Sequence, residues 1–376
     1  MVLFEVHVMG EMMLGYFDSA SIAPPAPEAL AAMQRALGTA WGHPGALHSV
    51  GGRSLHALDV ARQQVAEYLG VTAPEIVFTA GAREALSLGL ELAAARTEGA
   101  LVSSTQEHPS VQAWVAQSGR ATEWLAMPAG APSAEDVALA SDAGILVLSA
   151  CNHELGTTAW PALRAATTGL RVVDAVQAAP WVSLEELNDD RTFYVISGPK
   201  LGAALGIGVL RVPPHVYYGE REHGRTLESA SVPWLLAIGL GAVCDARMEV
   251  RDEALATACA KAAALVERLR AVEPRSVRNG DGGALLGPIV NLSFPGRPAR
   301  SLVSALSLEN VCIAHTAACR SRDEDMSPVV RAAYPDEPTR APTATRWSVT
   351  EHTTDADLDY ASAAFARIAA VHRVFE

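Results

Sequence analysis

"FYVISGPKLGAALGIGVLRV" (193–212) decides how this chain is read. Two β-branched runs, 193–197 and 206–212, flank a glycine-rich bend, and runs bounded by Gly and Pro read as strands. The bend carries Lys200. Among 29 Lys+Arg the chain has only two lysines, Lys200 and Lys261, so a lysine placed just past a strand end calls for a chemical reason.

The same pattern extends outward on both sides. "EIVFT" (75–79), "ALVSST" (100–105), "GILVLSA" (144–150) and "LRVVDA" (170–175) are further short strand-like runs. "EALAAMQRALGTAW" and "GGRSLHALDVARQQVAEYLG" carry apolar residues at three- and four-residue spacing, which predicts helices. Strands interleaved with helices predict an α/β fold around a largely parallel sheet covered on both faces. With 376 residues the chain exceeds one ordinary core. The reading is an N-terminal segment 1–15, a large unit 16–245, and a smaller α+β unit 246–376 holding "PIVNLSFPG", "NVCIAH" and a closing helix. The apolar stretch near 232–249 is a candidate for subunit contact.

Composition narrows the function classes. A formal charge of -13 with no clustered basic face argues against a nucleic-acid partner. The opening "MVLFEVHVMGEMMLG" is broken by Glu5, His7 and Glu11 and lacks a basic start, so it does not read as a secretory signal. The apolar run 232–243 falls short of the roughly 20 residues a bilayer span needs. The expectation is a cytoplasmic protein with no membrane partner. Five cysteines without a CxxC pair read as reduced thiols, with no metal site.

In an open α/β sheet, ligands sit beyond the carboxyl ends of the strands. "EIVFT" runs into "AGAREAL", a glycine turn opening a helix at Ala82, whose free N–H groups and dipole suit a phosphate; Arg83 would add charge. His108 follows the second strand, Asn152 the third, Asp174 ends the fourth with Gln177 three residues on, and Ser197 and Lys200 follow the fifth. Together these suit pyridoxal 5'-phosphate (PLP). Lys200 would form the Schiff base and Asp174 would keep the pyridine nitrogen protonated. Lys261 lies within a continuous helical segment and reads as solvated.

The order of these motifs resembles the cysteine desulfurases of the class-V aminotransferase group, PLP enzymes of fold type I. "YFDSASIAP", "HPGALHSVGGR", "EIVFTAGAREA", "EHPSV", "NHELGT", "DAVQAAP" and "SGPKLG" carry the resemblance in family order. "NLSFPG", "AHTAAC" and "RWSVTEHTT" continue it. The resemblance implies a mostly parallel seven-stranded sheet. It implies that His108 stacks on the cofactor and shuttles protons, and that Asn152 and Gln177 address its phenolic side. Ala82, Arg83 and Ser197 would hold the phosphate, and Arg346 would grip the substrate carboxylate beside Asn152. Cys319 matches the nucleophilic cysteine that takes sulfur from L-cysteine, leaving a persulfide for a sulfur-acceptor protein or enzyme; Arg320 and Arg322 would favour its thiolate. A homodimer is implied as well. The sequence departs from the family at Pro199, at Arg83, at His43 and over Ser19–Ala23. Other class-V chemistries (aminotransferase, epimerase, C–S lyase) and a non-catalytic partner-binding homologue are the alternatives.

Overall fold

The computed structural model describes residues 15–372 except 167, 225, 229–231 and 318–324. Its strands are β1 (Gly15–Tyr16), β2 (Ile76–Thr79), β3 (Leu101–Ser104), β4 (Thr122–Leu125), β5 (Ile145–Ser149), β6 (Leu170–Asp174), β7 (Thr192–Ser197), β8 (Gly208–Arg211), β9 (Val277–Asn279), β10 (Ile289–Ser293), β11 (Val311–Cys312) and β12 (Ala344–Ser348). Seven of these form one sheet in the order β2-β8-β7-β6-β5-β3-β4. Strand β8 is antiparallel to both its neighbours, and the remaining pairs are parallel. This is the mostly parallel seven-stranded sheet that the family resemblance implies.

The central strands are apolar along their length because both faces are covered. On one face Val77, Val147, Phe193 and Leu210 pack under the helix Ala82–Ala94. On the other, Phe78, Leu148 and Ile196 share a core with Leu58 and Val65 of the helix Ser49–Leu69 and Leu240 of the helix Trp234–Met248. Strand β4 has no counterpart in the sequence reading. It is the sheet edge, where Glu123 and Trp124 face solvent, so its four residues show no apolar run.

Residue 245 lies inside the helix Trp234–Met248, and the chain turns after it into the helix Arg251–Val272. That helix packs on the closing helix Asp355–His372, beside an antiparallel sheet of β9, β10 and β12. Strand pairing also joins the two ends of the chain: β1 pairs with β11, and Asp18 bridges Ser348. The apolar stretch near 232–249 is not a free surface. Ala237, Gly239, Leu240, Gly241, Val243 and Cys244 are buried within the chain, where the helix packs on Pro27–Thr39 and Ser49–Leu69. No helix among the described residues is long and apolar enough to cross a membrane.

Two glycines build the bend quoted at the outset. Gly202 caps the short helix Gly198–Leu201 in the left-handed region (φ 94°), which lets the chain reverse directly after Lys200. Gly208 opens β8 against the turn that starts the Ala82 helix; a Cβ there would stand 2.6 Å from Ala82 N. Gly208→Ala should therefore push that helix start away, costing about 1–3 kcal/mol and weakening any phosphate-bearing ligand, such as the expected PLP, held at that helix start. Chemical denaturation and cofactor titration check this, and an unchanged midpoint with unchanged affinity would contradict it.

Candidate active site

Strands β2, β3, β5, β6 and β7 all point their carboxyl ends at one edge of the sheet, and a cavity of about 260 Å³ opens there. Ala82, Arg83, His108, Asp174, Gln177, Ser197, Lys200 and Arg346 all line it. Segments far apart in sequence converge because each follows a strand end.

Lys200 projects from the turn after β7, half-buried, and its ammonium donates to the Ser21 carbonyl. Lys261 lies elsewhere, paired with Asp355 at 3.2 Å on the surface. Asp174 ends β6, where burial pushes its carboxyl up to about 6, against the lowering effects of the Val176 N–H (3.0 Å) and Lys200. A carboxyl with raised proton affinity is suited to share a proton with a ring nitrogen. His108 caps the helix Pro109–Ser118, and its Nδ1 is engaged by Ser110 through Oγ (2.7 Å) and N (3.2 Å). Gln177 is tied down, donating to the Ala20 carbonyl at 2.8 Å. Arg83 is exposed beside the helix start.

Arg346, on β12, is buried and held by three partners. It donates to the His153 carbonyl (2.8 Å), to Asp18 Oδ1 (2.8 Å) and to Ser21 Oγ (2.6 Å). Its Nε has no hydrogen-bond partner among the described residues. Asn152 is the expected residue that does not line the cavity. Its amide donates to the Gln106 carbonyl at 3.0 Å, and its Oδ1 accepts the N–H groups of Glu154 (2.9 Å) and Leu155 (3.0 Å). The side chain is thus spent on the turn that presents His153. Cys319, Arg320 and Arg322 lie outside the described residues.

Four residues join the site without having been picked out. Asp18 and His153 stand against Arg346, and both lay within quoted motifs. Glu154 is buried and accepts from Thr316 Oγ1 (2.7 Å), Ala317 N (3.2 Å) and Ser327 Oγ (2.5 Å). Glu107, next to His108, accepts from Ser149, and burial drives its carboxyl up to about 8. Glu107 therefore binds its proton more tightly folded than unfolded. Its contribution to stability is complete below the ordinary value of 4.5 and is lost as pH rises to about 8. Glu107→Gln should flatten that fall in cofactor-free protein; an identical pH slope of the melting temperature in both proteins would contradict this.

A second, larger cavity of about 500 Å³ lies across Ala20, Gln177 and Lys200. It is walled by apolar residues such as Trp181 and Val243 and by the Arg247–Glu351 ion pair at 2.8 Å. Both cavities carry titratable groups, but Arg83, His108, Asp174 and Arg346 line only the smaller one.

The profile of the aminotransferase class-V family matches residues 15–360. The chain belongs to the class-V aminotransferase family. Among curated relatives of this chain, a cysteine desulfurase of Mus musculus is 29% identical, covering 94% of this chain and 82% of the relative. Cysteine desulfurase 2 of Trichormus variabilis is 28% identical, covering 92% and 90%. Of solved structures, a NifS-like protein superposes with a TM-score of 0.83 at 21% identity, covering 96% of this chain and all of that one. A NifS-like protein from Rickettsia africae gives 0.79 at 19%. These structures share the fold that was expected, the type I fold of PLP enzymes.

The residues present fit PLP. Lys200, Asp174, Gln177 and His108 line one cavity, and Gly208 leaves room for the helix start at Ala82 that would take the phosphate. Asp174 and Lys200 supply the acid and amine such a cofactor needs at its two ends.

Proposed function

We propose that this member of the class-V family is a PLP-dependent cysteine desulfurase, converting L-cysteine to L-alanine and holding the sulfur as a persulfide on Cys319 for a sulfur-acceptor protein or enzyme. The observation that carries the reading is the single cavity wall shared by Lys200, Asp174, His108, Gln177 and Arg346. Relatives named cysteine desulfurase, matched over more than nine-tenths of the chain, support it.

Bound PLP would supply the electron sink for bond changes at the substrate. The chain's own groups do the rest. Arg346, fixed by Asp18 and Ser21, holds the substrate carboxylate through its remaining donors. Asp174 would hold a proton at the ring nitrogen of bound PLP. His108, with Nδ1 engaged by Ser110, moves a proton at Nε2. Attack of the Cys319 thiolate on the substrate sulfur forms an S–S bond as the C–S bond breaks. The electron pair stays with the β-carbon, which takes a proton to give alanine. Ala317, two residues before Cys319, lines the cavity. The test is the visible spectrum of PLP-loaded protein with and without L-cysteine, read alongside alanine and sulfide. A spectral response with alanine formed supports the reading, and no response to L-cysteine rejects it.

The protein is read as a homodimer on different grounds from those expected. Leu30, Leu37, Trp41, Leu47 and Leu55 are exposed on the helices Pro27–Thr39 and Ser49–Leu69 and the loop between them. Large apolar side chains gathered on one stretch fit an isologous contact. Sedimentation should give a dimer, dissociating when Trp41 and Leu47 become Glu; a stable monomer that binds PLP and turns over L-cysteine would contradict this. Cys151, Cys244, Cys259 and Cys312 are free thiols, consistent with the cytoplasmic setting that belongs to the same proposal.

A further inference from the structure

Among the described residues lining the catalytic cavity, two have a buried side-chain nitrogen with no hydrogen-bond partner, Arg346 Nε and His153 Nδ1. Buried polar atoms are nearly always satisfied, so a pair of orphans in one cavity describes what the cavity is built to receive. Arg346 Nε is a cationic donor and suits a carboxylate.

His153 offers the opposite chemistry. Only 7% of it is exposed. Its backbone carbonyl is pinned by Arg346, and its ring meets that of His108 edge-on, with centroids 5.2 Å apart. Its Nε2 lies 3.7 Å from Glu154 Oε1. That carboxylate already accepts from Thr316, Ala317 and Ser327, so it presents only acceptor character to the imidazole. The nearby carboxylate favours the tautomer with hydrogen on Nε2, which leaves Nδ1 as a lone-pair acceptor. Burial, with His108, Arg346 and Lys200 nearby, holds the ring neutral, well below the ordinary histidine range.

An α-amino acid brings three groups to this cavity. Its carboxylate goes to Arg346 and its amine to the Lys200 end, which leaves its side chain for the remaining orphan. We propose that His153 Nδ1 accepts a hydrogen bond from an S–H or O–H group on the substrate's β-carbon, making His153 a specificity-determining residue. The inference rests on the amino-acid reading given above. Alanine carries no such donor, so the product of desulfuration loses this contact.

L-Serine serves as a probe that keeps the donor without the sulfur, and L-alanine as one that lacks it. Dissociation constants for both, read from the visible spectrum of PLP-loaded protein, test the proposal. Wild type should bind serine more tightly than alanine. His153→Phe should weaken serine by about tenfold and leave alanine unchanged, and His153→Asn, which keeps an acceptor near the Nδ1 position, should recover part of the loss. Equal affinities in wild type overturn the proposal, as does parallel weakening of both ligands in the variants, which would mark His153 as a support for His108 or Arg346. Wild type that binds neither ligand overturns the amino-acid reading itself, and the assignment of His153 with it.

Discussion

Lys200→Ala should abolish turnover, lowering it by about three orders of magnitude or more, because the covalent attachment point is gone. The fold should survive the change. Lys200 is only half-buried, its ammonium donates to the Ser21 carbonyl, and the turn that presents it is set by Gly202 and not by the side chain. Stability within about 1 kcal/mol of wild type is the expectation for losing one such bond. Borohydride reduction of the wild type, followed by peptide mapping, should place the pyridoxyl label on Lys200. The variant should carry none. Label on Lys261, which pairs with Asp355 on the surface, or activity retained by the variant, would contradict the assignment.

The second large effect falls on Cys319. On the proposed reading, binding of L-cysteine draws on Lys200, Asp174 and Arg346 and on no thiol, so Cys319→Ser should still change the visible spectrum when L-cysteine is added. Alanine formation should drop below about one per cent of wild type, since a hydroxyl is a far poorer nucleophile towards sulfur than a thiolate. A variant forming alanine and sulfide at the wild-type rate would make Cys319 a bystander. Another class-V chemistry, such as C–S lysis, would then be the better description.

The parts of this molecule legible in its sequence are those governed by local rules. Strands β2, β5, β6 and β7 are β-branched runs ended by turn residues, so Asp174 and Lys200 could be placed at strand ends before any coordinates. Strand β4 was not legible, because an edge strand that exposes Glu123 and Trp124 has no apolar signature. Position along the chain also misled where burial is tertiary. The helix Trp234–Met248 looks like an apolar surface in sequence, yet it is the internal partner of two earlier helices. The second layer of the site was out of reach for a different reason. Asp18 meets Arg346 across 328 positions, and Glu154 reaches Ser327 across 173, separations with no periodicity to betray them. Asn152 shows the converse: its place after a strand suggested a contact with cofactor and substrate, but its amide is spent on the turn that presents His153 and does not line the cavity.

Trapping the sulfur tests the central claim most directly. PLP-loaded protein would be mixed with L-cysteine, alkylated and analysed by mass spectrometry, with alanine measured in the same samples. A persulfide confined to Cys319, appearing together with alanine, is the predicted result. Alanine absent, or a persulfide on Cys151, Cys244, Cys259 or Cys312 in place of Cys319, would contradict it.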